Sequence, residues 1–463
     1  LVEFESIGRT GCLIALLAAG LVVMPHAARA ETLASALSRA YVGNPTLGGQ
    51  RAGLRATDEN VPRALSGYRP TLSVVANSGI TSIDGVVSGG RRAQTTLPST
   101  VGLQVTQNLF NGFRTANSTR QAESQVLGAR EGLRNAEAST LYSGAQAYMN
   151  VLRDTAILDL QRNNRDVLEE QLSQTNVRFR VGEVTRTDVA QAESRLALAR
   201  SQVSAAESSL QTSIATFRQV IGVEPRNLAS GSPVDRLVPR TLTAAVQVGL
   251  EEHPAIVSAL HAADAAEHQV KIVEGELAPT LNVVGSVGQA WDQTLPGDRY
   301  TSASIVGQLS VPIYAGGGEV YARVRQAKET AGQRRIEAEA TRDQVRAGIV
   351  SAWGSLEAAK ASILAAQAQV EAARIALIGV REESRVGQRT TLDILNQQQE
   401  LLNAQVNLIT SQRDRVVASY LVAQAIGRLS ARTLALRVEL YNAKLHYDQV
   451  RDLPWGITTP DGR

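Results

Sequence analysis

The chain repeats itself. Thr32-Leu33, Asn44-Pro45 and Pro70-Thr71-Leu72 return in the same order as Thr241-Leu242, His253-Pro254 and Pro279-Thr280-Leu281, and Arg180-Val181-Gly182 with Asp188 returns as Arg385-Val386-Gly387 with Asp393. The offset of about 205 residues is far longer than the roughly 20 to 50 residues of a stacked solenoid unit, so it marks the duplication of a domain-sized piece. A first structural repeat is expected at 31–222 and a second at 241–429, with a linker at 223–240 and a C-terminal equatorial or tail segment at 430–463.

Residues 1–30 combine Arg9, an apolar run from Cys12 to Met24 and Ala28-Arg29-Ala30 ahead of Glu31, the layout of a signal peptide. The sole cysteine, Cys12, precedes that run rather than closing it, so it is not placed as a lipid acceptor. The exported part therefore carries no thiol, which excludes disulfides and Cys-ligated metal. With 47 basic and 44 acidic residues the net charge is +3, and no Lys/Arg block offers a face to nucleic acid. Beyond the N-terminal run, no apolar stretch is expected to reach the roughly 18–20 residues of a membrane-spanning helix, so a bilayer role would need strands closed into a barrel. Export then implies the periplasm, the outer membrane or the exterior.

Proline is absent from 99 to 224 and from 313 to 453, where Ala, Gln, Arg, Glu and Ser dominate. Such composition predicts long uninterrupted helices, and helices of that length must pack as coiled coils. Heptads support this. Ile349, Leu356, Ile363, Val370 and Leu377 recur every seventh residue, interleaved with Ala352, Ala359, Ala366, Ala373 and Val380. Leu196, Val203, Leu210 and Phe217 alternate likewise with Ala192, Ala199, Ala206 and Ser213. Gly182 and Gly387 interrupt the heptads and permit a tight left-handed reversal. Two antiparallel helical hairpins follow, at about 114–221 with its tip at 181–183 and at about 317–427 with its tip at 386–388.

Ahead of each hairpin lie alternating segments. Val101, Leu103, Val105 and Leu109 alternate with polar or small residues, as do Ile305, Leu309 and Val311, with partners beginning at Pro70 and Pro279. Strand hairpins at 70–110 and 279–314 are expected, joined by Gly/Ser/Thr/Asp-rich loops at 81–99 and 291–302. Their strands have the length of a tilted transmembrane strand. Four strands cannot close a membrane barrel, for which about eight is the practical minimum. Either copies pool their strands, a trimer giving twelve around an aqueous lumen, or the strands form a soluble hairpin packed on helices.

The linked Thr-Leu, Asn/His-Pro and Pro-Thr-Leu segments, the junctions Leu109-Phe110-Asn111-Gly112 and Ile313-Tyr314-Ala315-Gly316-Gly317, and the two Arg-Val-Gly tips together resemble the TolC-type outer-membrane channel family. The ending Tyr447-Asp448-Gln449-Val450-Arg451-Asp452 and Thr459-Pro460-Asp461-Gly462-Arg463 resembles its secretion-type branch. The resemblance implies a mainly α fold with a small β part: long coiled-coil hairpins forming an α-barrel joined to a transmembrane β-barrel, four strands per protomer, in a homotrimer. It implies an outer-membrane exit duct with a large periplasmic extension, serving type I protein secretion or multidrug efflux in a Gram-negative bacterium. The partners implied are a periplasmic adaptor, an inner-membrane ABC or proton-driven pump and outer-membrane lipid. The resemblance also places a periplasmic gate after the helix tips, where Arg389 would tie to Thr187 and Asp188 of the neighbouring hairpin and Asp393 would ring the constriction. The family often has a second carboxylate one turn on and a tyrosine five residues before the arginine; this chain has Asn396 and Ser384. Val181, Gly182, Val386 and Gly387 would dock the adaptor.

Other readings compete. Asp after a glycine turn is also an ordinary residue of a helix N-terminus. His253, His261 and His268 lack the companions of a zinc site, and His253 stands where Asn44 does in the first repeat, which reads as structural. No nucleophile elbow, Walker or Rossmann motif is present, so neither catalysis nor a cofactor is expected. A periplasmic coiled-coil scaffold or adaptor without a channel remains the functional alternative.

Overall fold

The structure, a computed structural model, describes residues 31–87 and 90–462; the signal peptide expected at 1–30, with Cys12, lies outside them. The chain is mainly helical with a small strand part. Each repeat opens with capped short helices. Thr32 accepts a bond from the Ser35 amide to start α1 (Leu33–Gly43), and Thr241 does the same through Ala244 for α6 (Leu242–Glu252). Asn44 caps α2 (Pro45–Asp58) by accepting the Leu47 amide at 3.1 Å, and His253 caps α7 (Pro254–Glu274) by accepting the Ala255 amide at 3.1 Å. Proline follows each cap at the first helical position, where its missing N–H costs nothing. The exchange of Asn44 for His253 thus preserves an N-cap. α3 (Asn60–Leu65) leads into the first strand.

β1 (Thr71–Ser78), β4 (Ser99–Asn111), β5 (Thr280–Trp291) and β6 (Arg299–Ser310) form an antiparallel sheet in that order. Its register puts Ser73, Gln104, Ser286 and Ser304 in one row and Val74, Leu103, Val287 and Ala303 in the next. Successive side chains of a strand point to opposite faces, so one face is polar and the other apolar. Leu72, Val74, Ile305 and Leu309 stand exposed on the apolar face. Among the described residues, β1 and β6 each pair along one edge only.

The segment expected as a loop at 81–99 contains a second ribbon, β2 (Thr81–Val87) paired with β3 (Gly90–Thr96). Thr81, Ile83 and Val86 on one side, with Thr95 and Thr96 on the other, are residues that suit a pleated surface, and this outweighs the glycine and serine content that suggested a loop.

Four long helices follow: α4 (Arg114–Arg180), α5 (Arg186–Ile221), α8 (Glu319–Arg385) and α9 (Thr391–Ala425). α4 and α8 have 67 residues each, on the order of 100 Å at 1.5 Å per residue. α4 packs on α5 and α8 on α9, while α7 and α9 each touch both α4 and α8. The heptad seams do this packing: Ile349, Ala352, Leu356, Ala359, Ala366, Ala373 and Leu377 are buried, as are Ala192, Leu196, Ala199, Val203, Ala206, Ser213 and Phe217. Within Ala315–Arg385 an 18-residue window reaches a mean hydropathy of 1.4 with at most two charges, so the expectation that nothing past the N-terminal run passes the test for a spanning helix is wrong. The physical reason is composition: alanine counts as apolar wherever it stands, and only 17% of that window is buried within the protomer, so the seam accounts for the smaller part of it.

Strand turns into helix at tight junctions. Gly112 has φ +66°, and a Cβ there would lie 2.3 Å from the Gly275 carbonyl oxygen, so no larger residue fits. At mid-height, α1, the middle of α4 and the ends of α5 and α9 enclose the main core with Leu429, Ala431 and Leu436. Within it Tyr148 is fully buried, its hydroxyl between the carbonyls of Glu31 at 2.7 Å and Ala229 at 2.6 Å. Burial, reinforced by Glu31, pushes its pKa up to about 12. The segment beyond ends in α10 (Leu445–Val450), which rests on α2.

Candidate functional site

The two hairpin tips are built alike. At the first, Gly182 (φ +83°) sends its amide to the Phe179 carbonyl at 3.0 Å while Glu183 reaches Arg178 at 2.9 Å. At the second, Gly387 (φ +80°) bonds Ser384 at 3.1 Å and Gln388 bonds Glu383 at 2.9 Å. This paired pattern satisfies the last carbonyls of a helix and turns the chain back. Val181 and Val386 stand exposed beside the glycines, although valine is costly to leave in water.

Each return helix begins with a reciprocal cap. Thr185 Oγ1 accepts the Asp188 amide at 3.3 Å, and Asp188 Oδ2 accepts from the Thr185 amide at 2.8 Å and hydroxyl at 2.7 Å. Thr390 and Asp393 repeat this at 3.3, 2.9 and 2.9 Å. Both carboxyls are held below the ordinary carboxylate range, first by the backbone N–H of the threonine and then by its hydroxyl. Both aspartates are therefore firmly anionic at neutral pH. The bonds use Oδ2 of each carboxylate and leave Oδ1 for a second donor.

Arg389 sits one residue before Thr390. Its Nε donates to Glu383 Oε2 at 2.8 Å, across the reversal of its own hairpin, and this bond holds the guanidinium pKa above its usual value. The protomer does not bring it to Thr187 or Asp188, which lie at the start of α5. The hairpins meet elsewhere: Arg195 on α5 donates to Asn396 Oδ1 on α9 at 2.7 Å, and Leu395 packs into a buried cluster with Leu168, Leu196 and Ala199. Asn396, noticed in the sequence only as a missing carboxylate, thus carries a contact between repeats. Thr185 and Thr390 were equally unassigned, although a threonine three residues before an acid is the legible mark of a capping box. No group of three or more His, Cys, Asp or Glu side chains gathers as a metal site among the described residues.

The sequence profile of outer membrane efflux proteins matches residues 36–223 and 245–428, one segment per repeat. The outer membrane efflux protein BepC of Brucella suis is 42% identical over 453 residues, covering 97% of this chain and 97% of its own. The alkaline protease secretion protein AprF of Pseudomonas aeruginosa is 26% identical over 332 residues, 69% of this chain and 67% of its own. Among solved structures, the CmeC outer membrane channel of Campylobacter jejuni superposes with a TM-score of 0.77 at 15% identity, covering 91% of this chain and 89% of that one.

Proposed function

The chain belongs to the outer membrane efflux protein family, and from that premise we propose that three copies pool their sheets into one twelve-stranded barrel prolonged by a twelve-helix tunnel. As an efflux or secretion channel of the Gram-negative outer membrane, the protein must enclose a pore, and its own four strands are too few. The observation that carries the proposal is the open sheet. Its apolar face is exposed as on a lipid-facing wall, and β1 and β6 present unpaired edges that a neighbour can complete. Each repeat, 31–222 and 241–429 about the linker 223–240, would supply two strands and two helical staves.

The tips form the closable end. Arg389 exchanges Glu383 for Thr187 and Asp188 of a neighbouring hairpin, where Asp188 Oδ1 is free to accept a charge-assisted bond, and Asp393 from three copies lines the constriction and favours cations. Val181-Gly182 and Val386-Gly387 dock a periplasmic adaptor that links the duct to an inner-membrane ABC or proton-driven pump. The duct is passive and catalyses no reaction; its cargo is secreted protein or small molecules. Protein extracted from outer membranes should run as a trimer that heat dissociates and should conduct in planar bilayers. A water-soluble periplasmic monomer would favour the scaffold instead. Photo-crosslinkers at Glu183 and Gln388 should capture a co-expressed adaptor; adducts confined to the helix flanks would argue against tip docking.

A further inference from the structure

Past α10 the chain climbs toward the sheet. His446 Nδ1 lies 3.2 Å from the buried Asp58 carboxylate of α2, and the Arg130 guanidinium sits over the Tyr447 ring at 5.1 Å. Further on, Arg69 takes hold of the backbone: Nη1 donates to the Leu453 carbonyl at 2.7 Å and Nη2 to that of Asp452 at 3.3 Å. Arg69 stands two residues before Thr71, where β1 begins. The segment is thereby fixed at the helix-side end of the sheet, the level at which strands enter the bilayer. It returns along α2, where Asp461 approaches Arg55 at 3.8 Å.

Between these ties Leu453, Pro454, Trp455 and Ile457 stand exposed, followed by the exposed Thr458 and Thr459. Trp455 is 87% exposed and Ile457 101%, with Leu453 partly so. Gly456, at φ +125°, bends the chain between the two exposed side chains and adds no bulk of its own. Tyr68, Phe113 and Tyr314, at the same ends of β1, β4 and β6, are likewise exposed. Aromatic rings gather where headgroups meet hydrocarbon because one side of such a ring is apolar and its edge tolerates water.

We propose that residues 453–457 are an interfacial anchor whose Trp455 and Ile457 insert into the periplasmic leaflet of the outer membrane beside the barrel. The Arg69 bonds hold the anchor beside the start of β1 and set its depth. It rests on the strands spanning the bilayer.

Two measurements on the reconstituted full chain test it. In a variant carrying Trp291→Phe and Trp353→Phe, Trp455 emission should shift to shorter wavelength and lose intensity in vesicles of brominated phosphatidylethanolamine. Quenching by aqueous iodide without bromolipid quenching would overturn the proposal, as would protection from both quenchers, which would mean a protein cover. In the otherwise native chain, benzoylphenylalanine in place of Trp455 should form lipid adducts on irradiation; adducts to a second copy or to another protein would overturn it. The same probe in place of Ile305 on β6 reports on the strands alone. Lipid adducts at Ile305 without any at Trp455 would sink the anchor and leave the barrel standing, whereas failure at Ile305 would sink the barrel.

Discussion

Thr185 and Asp188 close a small reciprocal ring, and its removal has a local and measurable cost. Thr185→Ala should weaken the first turn of α5 by about 1 kcal/mol, read as faster amide exchange near the tip with the helix middle unchanged. The ring also sets a pH dependence. The Asp188 carboxyl is held below its ordinary value of 3.8, so its contribution is fully present above pH 3.8 and is lost as pH falls through the lower folded value. Acidification below 3.8 should therefore loosen the tip, after correction for intrinsic exchange, and Thr185→Ala should abolish most of that dependence. Arg389→Ala should raise the leak of the closed channel in planar bilayers; an unchanged closed-state conductance would count against the gate. The aspartates were legible as helix N-terminal residues after a glycine turn, while the threonine three residues before each, which completes the cap, went unassigned. The partner of Arg389 was not, since Glu383 reaches it only once the glycine reversal has folded the chain back. Nor was Arg195 with Asn396, a pair 201 residues apart that exists only because α5 and α9 come together.

Helices were the most readable elements because their signal is redundant. Five heptads, no proline and a glycine at the reversal all point to one hairpin, and the seam alanines proved to be buried where the pattern put them. Ala366, 1% exposed on α8, has no room for more. Ala366→Leu should destabilise the coiled coil by about 1–3 kcal/mol through overpacking, seen as a lower dissociation temperature with retained helical circular dichroism. The alanine-rich composition misled in one respect, since a hydropathy window counts alanine as apolar whether it sits in a seam or, as most of that window does, outside it. Strands are shorter and each carries less pattern, so β1, β4, β5 and β6 could be placed while the β2–β3 ribbon read as a loop. There the glycine and serine content masked the β-branched residues of two short strands, which only cross-strand pairing makes visible.

For the molecule as a whole, duplication explains how one chain yields two equivalent hairpins set side by side, with α7 and α9 each touching both α4 and α8. It does not by itself close a pore. The sheet has a polar face, an apolar face and two unsatisfied edges, and an edge left open invites another chain. Joining β1 of one copy to β6 of the next removes every edge after three copies, which is why a closed ring is expected rather than a fibre. The sequence has no cysteine besides Cys12, so introduced pairs can be read without background. With Ser73→Cys on β1 as the fixed partner, a second cysteine is walked along β6 from Ser302 to Ser310, and each pair is oxidised in outer membranes and resolved by denaturing electrophoresis. The account predicts that pairs in register convert the chain into a covalent species that stops at three copies. Monomer at every register, or a ladder continuing past three, would contradict it.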